Sequence, residues 1–313
     1  MVALILCLGP APWTMAAEIT ILKSSDIGYY DEAVQGFRSA LPPRTTIKEY
    51  SLGGSVARGR ELGKTLRASP PDLVFAVGLK AAMAAKLEIL DTPVVFCLVL
   101  NPESHGLPTA NMTGILMKVP VERQLQAIRS LLPDSRRIGL LYDEDKSGPF
   151  VAEARRLASQ QRLDLLAVPV HAREEVPSAL RSLLPKVQGL WLIQDQTVVT
   201  ESSIPFLLQT TLDAKVPLIA FSSTLVQQGA LGGLVVNAWE VGQQAGRVTG
   251  AKLRGDSVPG RPLIEPERAQ LALNLHTAEY LGLTPSADVL RLATVLYGSG
   301  AVAKTQKLDD VIP

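Results

Sequence analysis

Residues 93–143 read PVVFCLVLNPESHGLPTANMTGILMKVPVERQLQAIRSLLPDSRRIGLLYD, and the way this stretch parses decides the fold. The apolar run Pro93–Val99 reads as a strand, and Thr113–Met117 as a shorter one. Pro120 then bounds a helix over Val121–Leu132, with Leu125, Ile128 and Leu132 on one face at i, i+3, i+7 spacing. Arg136–Tyr142 is a strand again. The first of these strands closes one run of α/β repeats and the last opens a second run. Gly114–Pro120 therefore reads as a passage between two lobes. Two α/β lobes joined by extended crossings make a clamshell, and a clamshell closes on something small.

On either side the alternation is regular. Upstream come strand Glu18–Lys23, helix Tyr29–Leu41 stopped by Pro42-Pro43, strand Thr46–Tyr50, helix Ser55–Ala68, strand Asp72–Val77 and helix Gly78–Leu90. Downstream come helix Pro149–Gln161, strand Asp164–Val170, helix Glu174–Leu184, strand Gly189–Gln194, helix Ser203–Ala214 and strand Pro217–Phe221. The strands are short apolar runs without period-2 alternation, the pattern of strands buried on both faces of a parallel sheet. The fold class is thus α/β, with two doubly wound parallel-sheet lobes joined by crossover strands. Gly232–Asn237 reads as the return crossing and Trp239–Leu253 as a helix carrying Gly242, Ala245, Gly246 and Gly250 near one face. After a Pro/Gly connector over 255–268, a last strand (Ala269–Leu275) and helix (Thr277–Leu281) are expected back in the first lobe. The domains expected are 18–117 with 239–284, then 118–238, with 285–313 as a C-terminal extension whose end, from Ser299, is mobile.

Composition narrows the function. Hydrophobic residues are 47% of the 313 and charged residues 19%, enough for two packed cores and unlike a disordered chain. A formal net charge of +1 gives no overall footprint for nucleic acid or for an anionic membrane. The opening MVALILCLGPAPWTMAAEIT has an apolar run of leader length followed by small residues, and resembles a secretory signal over 1–17 cleaved near Ala16 or Ala17. Pro10 and Pro12 interrupt it too early for a spanning helix, and Leu6 before Cys7 is not a lipidation site. Without Cys7, Cys97 stands alone and no internal disulfide can form.

In open α/β sheets ligands bind beyond the carboxyl ends of the strands. The residues there that suit a small polar ligand are Ser24, Ser25, Asp26, Gly78, Leu79, Asn101, Tyr142, Asp195, Ser222, Ser223, Asn237 and Trp239. Serine hydroxyls and backbone amides could hold a carboxylate, Asp26 or Asp195 an ammonium group, and the aromatic rings could stack. Singly, each serine, aspartate or glycine is as well read as a turn or cap residue. The set is what points to a pocket.

Signatures of chemistry are missing. GRELGKT at Gly59–Thr65 lacks the first P-loop glycine, since Arg58 stands there, and it lies inside a helical pattern. No G-x-G-x-x-G follows a strand and no G-x-S-x-G elbow occurs. His105, His171 and His276 sit on separate connections without metal-ligand spacing, and Cys97 in an apolar strand reads as inert. Neither an enzyme, a metal nor a cofactor is expected.

Certain short motifs, in order, carry a family resemblance. They include Pro71-Asp72-Leu73-Val74 with Gly78, Thr92–Phe96, Asn101-Pro102 with Gly106-Leu107, and Asn111–Gly114. Leu131-Leu132-Pro133 with Arg137-Ile138-Gly139, Asp195, Gly242–Gly246 and Leu273-Asn274-Leu275 follow. Over residues 18–284 the chain resembles the tryptophan/tyrosine-type solute-binding proteins of ABC transporters, with the type I periplasmic binding protein fold. The resemblance implies a monomeric periplasmic protein that delivers a small-molecule solute, such as an amino acid, to ABC permease membrane subunits by cleft closure. Departures fall on the pocket loops: Leu79 where the family often has Thr, Asn101 where Asp is frequent, and Ala238 in place of an aromatic residue. The rival readings are a ligand-sensing module that docks on a membrane sensor kinase and, with less support, an α/β hydrolase.

Overall fold

The computed structural model describes residues 17–256 and 262–298. The expected leader, but for Ala17, and the expected tail from Ser299 lie outside the described residues. In chain order the elements are β1 (Glu18–Lys23), α1 (Gly28–Ser39), β2 (Thr46–Ser51), α2 (Val56–Ala68), β3 (Leu73–Val77), α3 (Leu79–Glu88), β4 (Val94–Cys97) and β5 (Met112–Ile115). Next are α4 (Val121–Leu131), β6 (Arg137–Tyr142), α5 (Glu144–Gln160), β7 (Asp164–Pro169), α6 (Val176–Leu183), β8 (Gly189–Trp191), α7 (Ser203–Asp213), β9 (Leu218–Ile219), α8 (Ser223–Gln227) and β10 (Gly232–Val235). The chain closes with α9 (Ala238–Leu253), β11 (Leu263–Ile264), β12 (Gln270–Asn274), α10 (Leu275–Tyr280), α11 (Ala287–Leu292) and β13 (Ala293–Tyr297). They form two compact units. One holds the described residues up to Leu116 and those of Ala238–Ile264, the other Met117–Asn237 and the described residues from Glu265 on.

The first unit is a parallel sheet in the order β11-β5-β4-β3-β1-β2. Every residue of β3 and β4 is buried, as their unbroken apolar runs require. Leu22, Val74, Ala76 and Phe96 meet α2 and α3 on one face, whereas Phe75 turns to the other and stacks on Phe37 of α1 at 3.9 Å. Helices α1 and α9 touch backbone to backbone. A Cβ on Gly242 would fall 1.9 Å from the Ala33 carbonyl oxygen, and one on Gly36 2.0 Å from that of Trp239.

The second unit has the order β13-β12-β10-β9-β8-β6-β7. Strands β7, β6, β8, β9 and β10 are parallel, β12 is antiparallel to β10, and β13 is parallel to β12. Taken over their first five strands, both units follow one plan. The second strand lies outside the first, and the third, fourth and fifth extend the sheet on the other side. This is the doubly wound order with its switch point between first and third strands.

The structure departs from the sequence reading in four places. Ala269–Leu275, expected in the first lobe, supplies β12 to the second sheet, paired to β10 from Gly232↔Leu273 to Val235↔Gln270. Its alternation explains the placement: Leu271 and Leu273 enter one core of the second unit and Ala272 the other. Gly232–Asn237, read as the return crossing, is mostly β10 inside that sheet, and the chain leaves the unit only after Asn237. The stretch from 285, read as an extension, contains α11, capped by the Ser286 hydroxyl on Val289 N–H, and β13 along β12. Helix α5 begins at Glu144, not Pro149, because the Asp143 carboxylate caps it at Asp145 N–H and the helix tolerates Pro149 inside it.

Candidate functional site

In the first unit the switch point lies where β1 and β3 end. Ser24 N–H donates to Val77 O at 2.9 Å, which ties the two strand ends together. The Ser24 hydroxyl is buried and accepts from Ala81 N–H at 3.0 Å, so it caps the start of α3. Gly78, with φ +85°, leaves room for this: a Cβ there would lie 2.7 Å from both Ser24 Oγ and the Tyr30 hydroxyl oxygen. Leu79 opens α3 and is half-buried. Of the residues expected at this end, Ser24, Gly78 and Leu79 are brought together, and Tyr30, which sequence reasoning missed, joins them.

Asp26 belongs to a neighbouring cluster. Its carboxylate accepts from the Ser51 hydroxyl at 2.7 Å and lies 3.3 Å from Lys23 Nζ. Lys23, the last residue of β1, also meets Asp31 at 2.7 Å and Glu49 at 3.0 Å. Those carboxylates, Asp31 foremost, raise the ammonium group's pKa against the opposing effect of burial. The Ser51 hydroxyl, then Lys23, holds the Asp26 carboxyl below the usual carboxylate range. Burial alone would raise Glu49, but Arg38 and Lys23 bring it below its ordinary value. Asp26 is therefore already answered by a cation, and a ligand ammonium would compete with Lys23. Ser25 is half-buried beside this cluster in sequence, and Asn101 sits at the head of a 3₁₀ turn with φ +45°. Trp239, on α9, is 39% exposed.

In the second unit the switch point lies between the ends of β6 and β8, and it is built from two carboxylates. Asp195, 1% exposed, accepts from Asp143 N–H (2.8 Å), Ser147 Oγ (2.7 Å), Thr197 N–H (2.9 Å) and Val198 N–H (3.1 Å). Four donors fill the acceptor sites of one carboxylate. Through these bonds Asp195, expected from the sequence to face a ligand ammonium, brackets the loop after β8 to the start of α5. Asp143, one residue past the expected Tyr142, accepts from Thr197 Oγ1 at 2.5 Å and faces Lys146 Nζ at 3.1 Å. The Thr197 hydroxyl, against burial and helped by Lys146, keeps the Asp143 carboxyl below its ordinary value. Tyr142 itself is 4% exposed and packs in the core, with the Arg155 guanidinium 5.9 Å from its ring centre, so it is not an open stacking surface.

Ser222 caps α8 through Leu225 N–H, and Ser223 is the first residue of that helix. Asn237 is half-buried at the end of the unit. Sequence reasoning also missed a group that fixes the chain as it enters this unit. Gln124 Nε2 donates to Val119 O at 2.6 Å and its Oε1 accepts from Trp191 Nε1 at 3.2 Å. Lys118 Nζ lies 4.0 Å from the Phe150 ring centre.

Among the described residues no group of three or more His, Cys, Asp or Glu could hold a metal ion. Burial pushes the Cys97 thiol up, which suits an unreactive core residue. A groove of about 250 Å³ in the second unit is lined by Leu132, Ser135, Leu231, Leu273 and Val289. Ser135 and Leu231 precede β6 and β10, so the groove opens at the amino ends of those strands, opposite to the end where such sheets bind ligands.

Comparison with known proteins agrees with this architecture. A family model described as ABC transporter substrate binding protein matches residues 30–296. A tyrosine-binding protein of Clostridioides difficile (strain R20291) is 26% identical over 277 residues, 83% of this chain and 80% of that one. Among solved structures, a ligand-free, open substrate binding protein with adhesive properties from Clostridium difficile superposes with TM-score 0.75 at 22% identity, over 91% of this chain and 100% of that one. An ABC domain from Streptococcus pneumonia in complex with L-Trp gives TM-score 0.62 at 23% identity, over 90% and 99%. At these identities the two structures speak for the fold.

Proposed function

Because the chain belongs to the ABC transporter substrate-binding protein family, whose members bind rather than transform their substrates, we propose that it works as a monomer outside the cytoplasm, capturing one small polar solute and passing it to the permease subunits of an importer. The observation that carries the proposal is the repeated switch point. Each unit presents hydroxyl, amide and backbone N–H groups at the end of the sheet where such folds take ligands.

We assign the solute contacts to the candidates whose chemistry remains open. Ser24 and Ser222 accept in their caps, and each keeps its own O–H to donate. Ser25, Asn101, Ser223 and Asn237 add hydroxyl and amide groups, Gly78 and Leu79 backbone and apolar contact, and Trp239 a ring. Binding acts by favouring a closed population over an open one, by as much as the solute prefers the closed form. The named substrates of the relatives put aromatic amino acids first for trial, while Leu79 and Asn101 leave room for a different side chain.

Thermal unfolding of the protein against amino acids, small carboxylates, nucleobases and sugars tests this, with L-tyrosine and L-tryptophan tried first. A solute at 100 times its dissociation constant stabilises by ~2.7 kcal/mol, a rise of several degrees. Recovery of the solute unchanged supports a binding protein. Its consumption would overturn the reading in favour of an enzyme.

A further inference from the structure

The near-neutral sum of charges conceals an uneven distribution. Helices α2 and α3 lie side by side on one face of the first unit's sheet. A Cβ on Gly59 would be 3.1 Å from that of Ala84, and one on Gly63 2.6 Å from that of Glu88. Together the two helices carry six Lys and Arg (Arg58, Arg60, Lys64, Arg67, Lys80, Lys86) against two Glu (Glu61, Glu88). In a chain whose net charge is +1, this layer alone carries +4.

The cations are ordered. Arg60, Lys64 and Arg67 follow i, i+4, i+7 spacing and are exposed, so they form one stripe along α2. Gly59, Gly63 and Leu66 form the buried side of the same helix. Arg67 reaches Glu88 at 3.4 Å, which brings the carboxyl end of α3 alongside. Among the described residues Arg60 and Lys64 form no ion pair. At the same end of α3, Leu87 is 49% exposed and Leu90 64% exposed. The face thus combines a straight basic stripe with exposed leucines at one end.

We propose that this face rests on an anionic phospholipid surface, with Arg60, Lys64 and Arg67 on headgroup phosphates and Leu87 and Leu90 among the headgroups. Guanidinium forks take phosphate in a bidentate manner, and a stripe of two helical turns suits an extended charged plane better than a pocket. A basic row flanked by apolar side chains is the pattern of peripheral attachment, in which apolar burial adds to electrostatic attraction.

The test is co-sedimentation of the full chain with phosphatidylcholine vesicles, with and without phosphatidylglycerol. Each surface cation strengthens binding to an anionic membrane by roughly fivefold, so Arg60→Ala with Lys64→Ala should weaken binding to phosphatidylglycerol vesicles about 25-fold. The same variant should unfold at the wild-type temperature, and raised salt should release the wild type from the vesicles. Binding to phosphatidylcholine alone, which any apolar segment could give, should not distinguish variant from wild type. Failure of the wild type to bind phosphatidylglycerol vesicles at low salt, or equal binding by the variant, overturns the proposal. So does binding to polyglutamate in preference to vesicles, which would assign the stripe to an acidic protein. None of these outcomes depends on which solute the protein carries.

Discussion

Asp195 shows how a side chain that reads in sequence as a ligand contact can also hold its own fold together. The sequence places a carboxylate after an apolar strand, which suits an ammonium group equally well. In the structure its oxygens receive four donors in a nearly dry setting. Hydrogen bonds to a charged group are worth ~1.5–3 kcal/mol each, and removing the acceptor leaves buried donors unmet. Asp195→Ala should therefore cost at least about 3 kcal/mol in urea unfolding. A variant of wild-type stability that loses only solute affinity would return Asp195 to the ligand. Three other carboxyls, two in the first unit and one in the second, give a pH signature. Asp26, Glu49 and Asp143 all lie below their ordinary values when folded. Groups so depressed contribute stability that is complete above the ordinary carboxylate range, near pH 4, and lost as pH falls through their folded values. Unfolding temperature should hold steady from neutral pH to about 5 and decline below about 4, and a flat profile into that acid range would contradict the assigned pairings.

At the scale of elements, most of the chain was legible because buried parallel strands are unbroken apolar runs. β3 and β4 match that expectation closely. What could not be read was direction and partner. Leu271-Ala272-Leu273 looks the same in sequence whether it pairs parallel in one sheet or antiparallel in another. β11, two residues long, is too short for any periodicity to reveal. The candidate site was legible only as a set of strand ends. Strand ends marked Ser24, Gly78 and Asp195, but not that Tyr142 packs in the core while the next residue, Asp143, caps α5 and meets Thr197. Tyr30 was invisible because Gly78, which it meets, is distant in sequence, and the ion cluster of Lys23 because Glu49 reaches it only through the pairing of β2 with β1. The glycine row of α9 was legible as a row, and its contacts now separate its members. Gly242→Ala places a methyl on the Ala33 carbonyl and should cost ~1–3 kcal/mol or more, whereas Gly250→Ala meets only Pro42 and Arg254 side-chain atoms at 3.4 Å and should be neutral or gain up to about 1 kcal/mol in helix propensity. Equal thermal shifts for the two variants would show that the backbone contact between α1 and α9 is looser than its geometry.

For the whole molecule, the decisive feature is that neither unit is a continuous piece of chain. The first needs α9, which lies against α1 from more than two hundred residues away, and the second needs β12 and β13 to extend its sheet beyond β10. During synthesis the first hundred or so residues emerge with α1 lacking its glycine-lined neighbour, and the next hundred with β10 lacking one of its two flanking strands. Contacts that span such separations form late, since loop closure must precede them. The order of synthesis thus works against early completion of either core. If the chain is exported, as the proposed role outside the cytoplasm requires, this arrangement serves it: the segments that lock each half arrive last, so the polypeptide stays threadable until most of it has been made.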